Sequence, residues 1–421
     1  MKHNTAITIF LILTFVLSPL IAWNNHAGIT YIILNDHWKN NAPKKVKVES
    51  LESYLLKEKA TLSEVLAEID SFVAEKLPHC PKPSPDLIFT PESVNASNVI
   101  NSFYRAIRVN PNHKASLYTQ VVNVKATSPS SLLPTITTLN DKGKLVNETF
   151  RPLSSGSLVS PIDILVTAVD EPDYDLDLYL FSDSGSEVGK LYQFGEQSFG
   201  NPIYEYSSQA PFHMGFYHES GIVYTLAGFI KRTFPEYRIY QFTKLSEHAF
   251  RTGHPYWGYR FAGWALHYLQ DLTQPYHSSV LPRVGTGNRI WVQVLATIGL
   301  PSQKNKRIDD VSARHTLIEE YQYYLIKEIL HGRQTDHTVY KAIQSMDPAV
   351  DSIPVTFESI RNTISRESYE TADATDLGLE HLGIDKFEKL YEESHPIHKI
   401  LAELLQRTSK HTRSFVDGLP K

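Results

Sequence analysis

One cysteine in 421 residues, Cys80, leaves no partner for an intrachain disulfide, so reinforcement beyond the hydrophobic core falls to polar contacts or metal ions. Lysine and arginine number 41 against 46 acidic residues, and the basic ones form no long run. With a net charge of -5 there is no field that would track a nucleic-acid backbone, and no stable nucleic-acid partner is expected. Internal repeats and low-complexity tracts are absent, which excludes solenoids and arrays. The 42% hydrophobic content excludes a disordered chain and is enough for one large core or two ordinary ones.

Long apolar runs are also scarce. The strongest lies at the N-terminus, where Lys2 and His3 precede Ala6 to Leu17, followed by Ser18, Pro19 and Ala22. Residues 1–22 read as a secretory signal peptide, and the uninterrupted stretch is short for a membrane anchor of ~20 residues. The expected mature chain, 23–421, carries no transmembrane span, begins at Trp23 and is secreted or periplasmic. A second apolar run, Ile290 to Leu300, reads as buried core before it reads as a lip that touches lipid.

Helical periodicity dominates what is present. Leu62, Val65, Leu66, Ile69, Phe72, Val73 and Leu77 recur at helical spacing, Thr61 and Glu64 form a capping-box pattern, and Pro78 ends the run. Residues 81–160 differ: Pro, Ser and Asn are frequent, Gln120 to Lys125 and Thr135 to Leu139 look like strands, and Asp141-Lys142-Gly143 is a turn before Lys144 to Phe150. This region reads as an insertion and not as the catalytic part. Helices are expected again at Gly221 to Thr233, Trp257 to Asp271, His315 to Leu330 and Pro396 to Arg407, with 332–421 a helical C-terminal extension. The fold class is therefore mainly α with an irregular, partly β insertion.

The segment His267-Tyr-Leu-Gln-Asp271-Leu-Thr-Gln-Pro-Tyr-His277 carries the chemistry. On a helix His267 and Asp271 stand one turn apart, ~6 Å along the axis, so an imidazole and a carboxylate can meet on one ion. Pro275 ends that helix and frees His277 to point back toward the same place. His315 and Glu319 repeat the i, i+4 arrangement. One such pair is usually a surface ion pair; two, one of them extended by Pro-x-His, point to a metal site. Nitrogen and oxygen donors without thiolate suit zinc in a catalytic setting.

The segment from His267 to His277 resembles the signature of the zinc-dependent phospholipase C and S1/P1 nuclease superfamily, and is most similar to the bacterial phospholipases C. The resemblance implies a helical domain holding three Zn2+ ions. It implies as ligands the amine and carbonyl of Trp23, then His26, Asp173, His213, His267, Asp271, His277, His315 and Glu319, with His218 a competitor for the place of His213. One zinc would take Asp173, His213, His267 and Asp271, a second His277, His315 and Glu319, and a third Trp23 and His26 with Asp271 bridging. Asp173 is similar to the aspartate that stands beside the attacking water. Glutamate at position 319 matches the phospholipases, where the nucleases commonly have aspartate.

The function expected from that resemblance is hydrolysis of the glycerol-side phosphodiester of phospholipids at a membrane surface, giving diacylglycerol and a phosphorylated head group. A single-strand nuclease or nucleotidase on the same site is the alternative, and a non-catalytic zinc-stabilised binding protein is a third reading. His248, His254, His395 and His398 read as surface or satisfied core histidines, and Tyr321, Tyr323 and Tyr324 as packing. Asn95 and Asn147 begin glycosylation sequons.

Overall fold

The structure, a computed structural model, describes residues 25–200, 204–283, 302–345, 354–382 and 395–420. Trp23, the leader 1–22 and the run 290–300 lie outside them. The chain is mainly helical, with two short antiparallel strand pairs among the described residues. Nine helices organise the site: α1 (His26–His37), α2 (Leu51–Lys76), α3 (Pro161–Ala168), α4 (Pro235–Arg251), α5 (Pro255–Asp271), α6 (Ser302–Gly332), α7 (Thr338–Gln344), α8 (Arg366–Leu382) and α9 (Ile397–Asp417).

Helix α5 is the axis of the molecule. It is buried on almost every side, from Tyr256 to Asp271, which is why its sequence shows little polar face. Pro255 fits its first turn, where no backbone donor is needed, and Gly253, at φ +85°, makes the left-handed reversal that returns the chain from α4. Around α5 pack α4, α3 and α9, and α1 lies against α3 and α9. Trp257, Phe261, Trp264 and Leu266 anchor a core that reaches Phe242 on α4 and Leu405 on α9.

One close approach sets the registry. Gly263 faces α3, and a β-carbon there would lie 2.5 Å from the Ala168 methyl. The missing side chain lets two helices touch backbone to backbone, as a larger residue would not.

The strands are brief. Val46–Lys47 (β1) pairs with Leu158–Val159 (β4), and Tyr118–Gln120 (β2) pairs with Phe150–Pro152 (β3) in the register Tyr118 to Pro152, Gln120 to Phe150. Residues 81–160 thus fold back on the core: β2 packs on α3.

Several boundaries depart from the periodicity. Helix α2 begins at Leu51, capped by the Ser50 hydroxyl, so Thr61 lies within it and its hydroxyl bonds to Glu58 O. The charged stretch around Lys57 is the solvent face of a helix whose apolar face already runs through Leu51, Tyr54 and Leu55. Thr135 to Leu139 is not a strand, because Pro134 sits in the first turn of a helical segment, Leu133–Ile136. The strand expected from Gln120 ends there, having begun at Tyr118, and Gly143–Asn147 is a tight 3-10 turn. The helix expected over 221–233 divides into Gly221–Leu226 and the tighter turn Gly228–Lys231, with the change of path at Ala227.

Candidate metal centre

After α3 the chain runs through Asp170, Glu171, Asp173, Asp175 and Asp177, a dense series of acids that would repel one another if left unpaired. The fold supplies a partner for each except one. Asp170 accepts from Ala27 N at 2.8 Å and Gln120 Nε2 at 2.9 Å. Glu171 receives Arg260 and the Trp264 indole N–H. Asp175 lies 2.6 Å from His113 Nδ1 and accepts from Thr138, and Asp177 accepts from Arg238 and from Tyr268 Oη at 2.6 Å. The exception is Asp173, whose carboxylate faces His213 and His267 at 3.8 and 3.7 Å, beyond hydrogen-bond reach.

Helix α5 presents Arg260, Trp264, His267, Tyr268 and Asp271 toward this series, at spacings that keep them on one helical face. Because Gly263 brings α5 onto α3, His267 donates from Nδ1 to Val169 O at 2.7 Å. That bond selects the tautomer, leaving Nε2 as a bare lone pair aimed inward. Nε2 lies 3.3 Å from Asp271 Oδ2 and 2.9 Å from His213 Nδ1, which is itself 2.9 Å from Asp271 Oδ2. His213 ends the short helix Ala210–His213.

His26 opens α1, where the Asn25 side chain caps the helix by accepting from Gly28 N. A β-carbon on Gly28 would meet Ile326 of α6 at 2.7 Å, so glycine lets α1 settle beside α6. His26 Nδ1 donates to Gln270 Oε1 at 2.9 Å, and Nε2 points to Asp271 Oδ1 at 3.5 Å. Gln270 is held in turn by Thr30 and Thr412.

Beyond Asp271, Gln274 accepts from Tyr276 N and starts the short helix Pro275–Ser278, which carries His277. His277 stands between two acids: Nδ1 is 3.5 Å from Asp271 Oδ1 and Nε2 is 3.4 Å from Glu319 Oε1. On α6, His315 Nε2 lies 2.7 Å from the same Glu319 oxygen, which also accepts from Gln274 Nε2 at 3.0 Å.

Three sets of donor atoms result, each with its members within 4.8 Å of one another: His26, His267 and Asp271; Asp173, His213 and His267; His277, His315 and Glu319. Each could hold a metal ion. The side chains are 0–5% exposed apart from Asp173, at 19%. Asp173 is thus where the centre meets solvent.

Burial holds His267 and His315 neutral, down at about 3, so both offer lone pairs across the physiological range. Burial also pushes Asp173 and Glu319 up to about 7. For His26 burial opposes the charge, but the hydrogen bond and charge of Asp271, with Asp173 and Asp170 behind it, carry the imidazole up to about 9. Asp271 stays well below the carboxylate range despite its burial, because His267, His213 and His26 surround it.

The donor atoms themselves test whether cations fit. His26 Nε2, Asp271 Oδ1, both ring nitrogens of His277 and Glu319 Oε2 are buried without a hydrogen-bond partner. Each such group costs ~1–3 kcal/mol when left unmet. Divalent ions among them would satisfy all of these atoms together, and the bonds from His267 to Val169 O, from His26 to Gln270 and from Gln274 to Glu319 are outer contacts of the kind that orient metal ligands. The residues fit.

The structure therefore gathers His26, Asp173, His213, His267, Asp271, His277, His315 and Glu319 at one place. His218 is elsewhere, with Nε2 donating to Arg361 O at 3.0 Å. His248 bonds to Tyr54 and Thr61, His254 to Glu49, and His398 to Tyr321, all within the packed interior or its margin. Sequence reasoning missed Gln270 and Gln274, although both stand inside the His267 to His277 segment, and missed Asp170, whose partner Gln120 is remote in sequence. Among the described residues no helix is long and apolar enough to cross a membrane. Comparison with known protein families, curated proteins and solved structures finds no match to this chain.

Proposed function

We propose that this protein is a zinc-dependent phosphodiester hydrolase of the phospholipase C type, exported by its N-terminal apolar segment and acting on phospholipids at a membrane surface. The observation that carries the reading is the convergence of imidazoles and carboxylates from α1, α5, α6 and three intervening segments, with unpartnered nitrogen and oxygen atoms facing one another in a buried place. Asp173, His213, His267 and Asp271 would hold one ion and His277, His315 and Glu319 a second. His26 and Asp271, with the terminal amine and carbonyl of Trp23, would hold a third.

Bound zinc supplies the two needs of phosphodiester cleavage, acidified water and neutralised charge on the phosphoryl oxygens. The chain does the positioning. Asp173, the one partly exposed carboxylate of the centre, orients the attacking water and takes up its proton. Val169 O and Gln270 keep His267 and His26 in the ligating tautomer, and the buried pair of Glu171 with Arg260 fixes the segment on which Asp173 stands. The exposure of Asp173 speaks against closed structural metals, and glutamate at 319 favours lipid over nucleic acid.

The test is parallel assay of zinc-loaded protein on phosphatidylcholine vesicles and on single-stranded DNA. Release of phosphocholine, abolished by chelation and by Asp173→Asn with zinc content retained, is expected. Hydrolysis of DNA alone would replace the phospholipase by a nuclease, and turnover of neither would leave a binding protein.

A further inference from the structure

Residues 81–160 do more than cover the core. Lys144 stands on the turn Gly143–Asn147, and this turn is pinned at both ends. Gly143, at φ +47°, lies against Tyr206, whose Oη would be 3.1 Å from a β-carbon at that position. Just past the turn, Glu148 accepts from Tyr323 Oη at 2.6 Å and Lys327 Nζ at 2.8 Å, and Lys327 also donates to Asn147 O. The turn is thereby fastened to the face of α6 that follows Glu319.

So held, the Lys144 ammonium lies 4.8 Å over the Tyr323 ring and 3.8 Å from Glu320 Oε1. Its nitrogen is buried, and no acceptor among the described residues is within hydrogen-bond distance. Burial lowers its affinity for the proton, while Glu320, Glu319 and Asp173 sustain the charge. Tyr323 stands one turn after Glu319 on the same face of α6, so the ammonium over its ring lies beside the candidate metal centre. A lysine placed only to balance Glu319 or Glu320 would approach to hydrogen-bond distance, and Lys144 stops short of that. The ring of Tyr323 offsets part of the cost of burial, but it provides no acceptor for the three N–H groups.

We propose that Lys144 binds a non-bridging phosphoryl oxygen of the substrate, so that the segment inserted before Asp173 supplies part of the substrate site. The assignment rests on the phosphodiesterase reading above. An anionic oxygen beside the metal centre provides the acceptor that the buried ammonium lacks, and a charge-assisted hydrogen bond of this kind is strong.

The experiment compares zinc-loaded wild type, Lys144→Met and Lys144→Arg by three measurements: bound zinc, binding of inorganic phosphate by calorimetry, and hydrolysis of bis(p-nitrophenyl) phosphate. Lys144→Met is expected to keep its zinc and to weaken phosphate binding by about tenfold or more, with Lys144→Arg within a few fold of wild type. Undiminished phosphate binding by Lys144→Met, or loss of its zinc, would overturn the assignment even if the wild type cleaves diesters. Phosphate binding that depends on Lys144 in a wild type that cleaves no diester would uphold the anion site and sink the hydrolase.

Discussion

Gly263 and Ala168 touch so closely that a β-carbon on the first would lie 2.5 Å from the methyl of the second, and 3.2 Å from Val169 N. One turn further along α5, His267 reaches Val169 O at 2.7 Å. The absence of a side chain at 263 is thus what lets the Val169 carbonyl, at the end of α3, orient a candidate metal ligand.

Gly263→Ala should separate α5 from α3 and lengthen that bond. Since Ala168 and the Val169 backbone cannot move aside cheaply, a loss of ~1–3 kcal/mol in stability is expected, as for other overpacked cores. Zinc content should fall with it. Denaturant unfolding together with metal analysis checks this; a variant as stable and as fully loaded as wild type would show that the contact has slack.

Gln270 acts behind His26. Replacing it with leucine keeps most of the volume but removes the acceptor for His26 Nδ1 and the donor to Thr30 and Thr412. His26 then loses the bond that fixes its tautomer, and zinc affinity at its site should drop by roughly 10–100-fold, the usual effect of removing such a contact. Competition with a chromophoric chelator measures this. Affinity at the His277, His315 and Glu319 site should change little, because Gln274 and not Gln270 supports it.

Much of this arrangement was legible in the sequence. The i, i+4 pairs His267 with Asp271 and His315 with Glu319 follow from helical geometry; the helix stop expected at Pro275 is not there, because α5 already ends at Asp271 and Pro275 instead opens the short helix that carries His277. What stayed hidden depends on partners far apart in the chain. Asp173 was named through the resemblance alone: nothing local separates it from Asp175 and Asp177, whose partners His113 and Arg238 are remote in sequence. The placement of Lys144 beside α6 is likewise a product of Glu148 meeting Tyr323. The start of α2 moved for a different reason: Thr61 and Glu64 have the pattern of a capping box, but the Ser50 hydroxyl already caps the helix three turns earlier and Thr61 bonds back to Glu58 O inside it.

Metal removal should show as a loss of stability, because cations would satisfy the unmet atoms of His26, Asp271, His277 and Glu319. Free zinc at about 100 times the dissociation constant adds ~2.7 kcal/mol per independent site that the unfolded chain does not bind. Scanning calorimetry at stepwise zinc concentrations should therefore give a midpoint that climbs with the logarithm of free zinc and collapses on chelation. A midpoint indifferent to zinc, at concentrations where zinc is bound, would mean that the unfolded chain binds equally well.

Asp70, away from the centre on α2, offers a test by pH. Burial raises its carboxyl to about 6, with Arg108 pulling only weakly the other way. The folded protein therefore holds this proton more tightly than the unfolded chain, whose aspartate titrates near 3.8. The stabilisation tied to the proton is complete below that lower value and is lost as pH rises through about 6. At neutral pH the ionised carboxylate is a burden on the fold, which Asp70→Asn removes while retaining shape. The variant should be more stable than wild type at pH 7.5 by roughly 1 kcal/mol, a figure reduced for the solvent that still reaches the carboxyl. Near pH 3 the two should coincide, because wild-type Asp70 is then protonated both folded and unfolded. Paired unfolding curves at the two pH values decide the matter: a stabilisation of equal size at both would trace the effect to the amide itself and not to the removal of a buried charge.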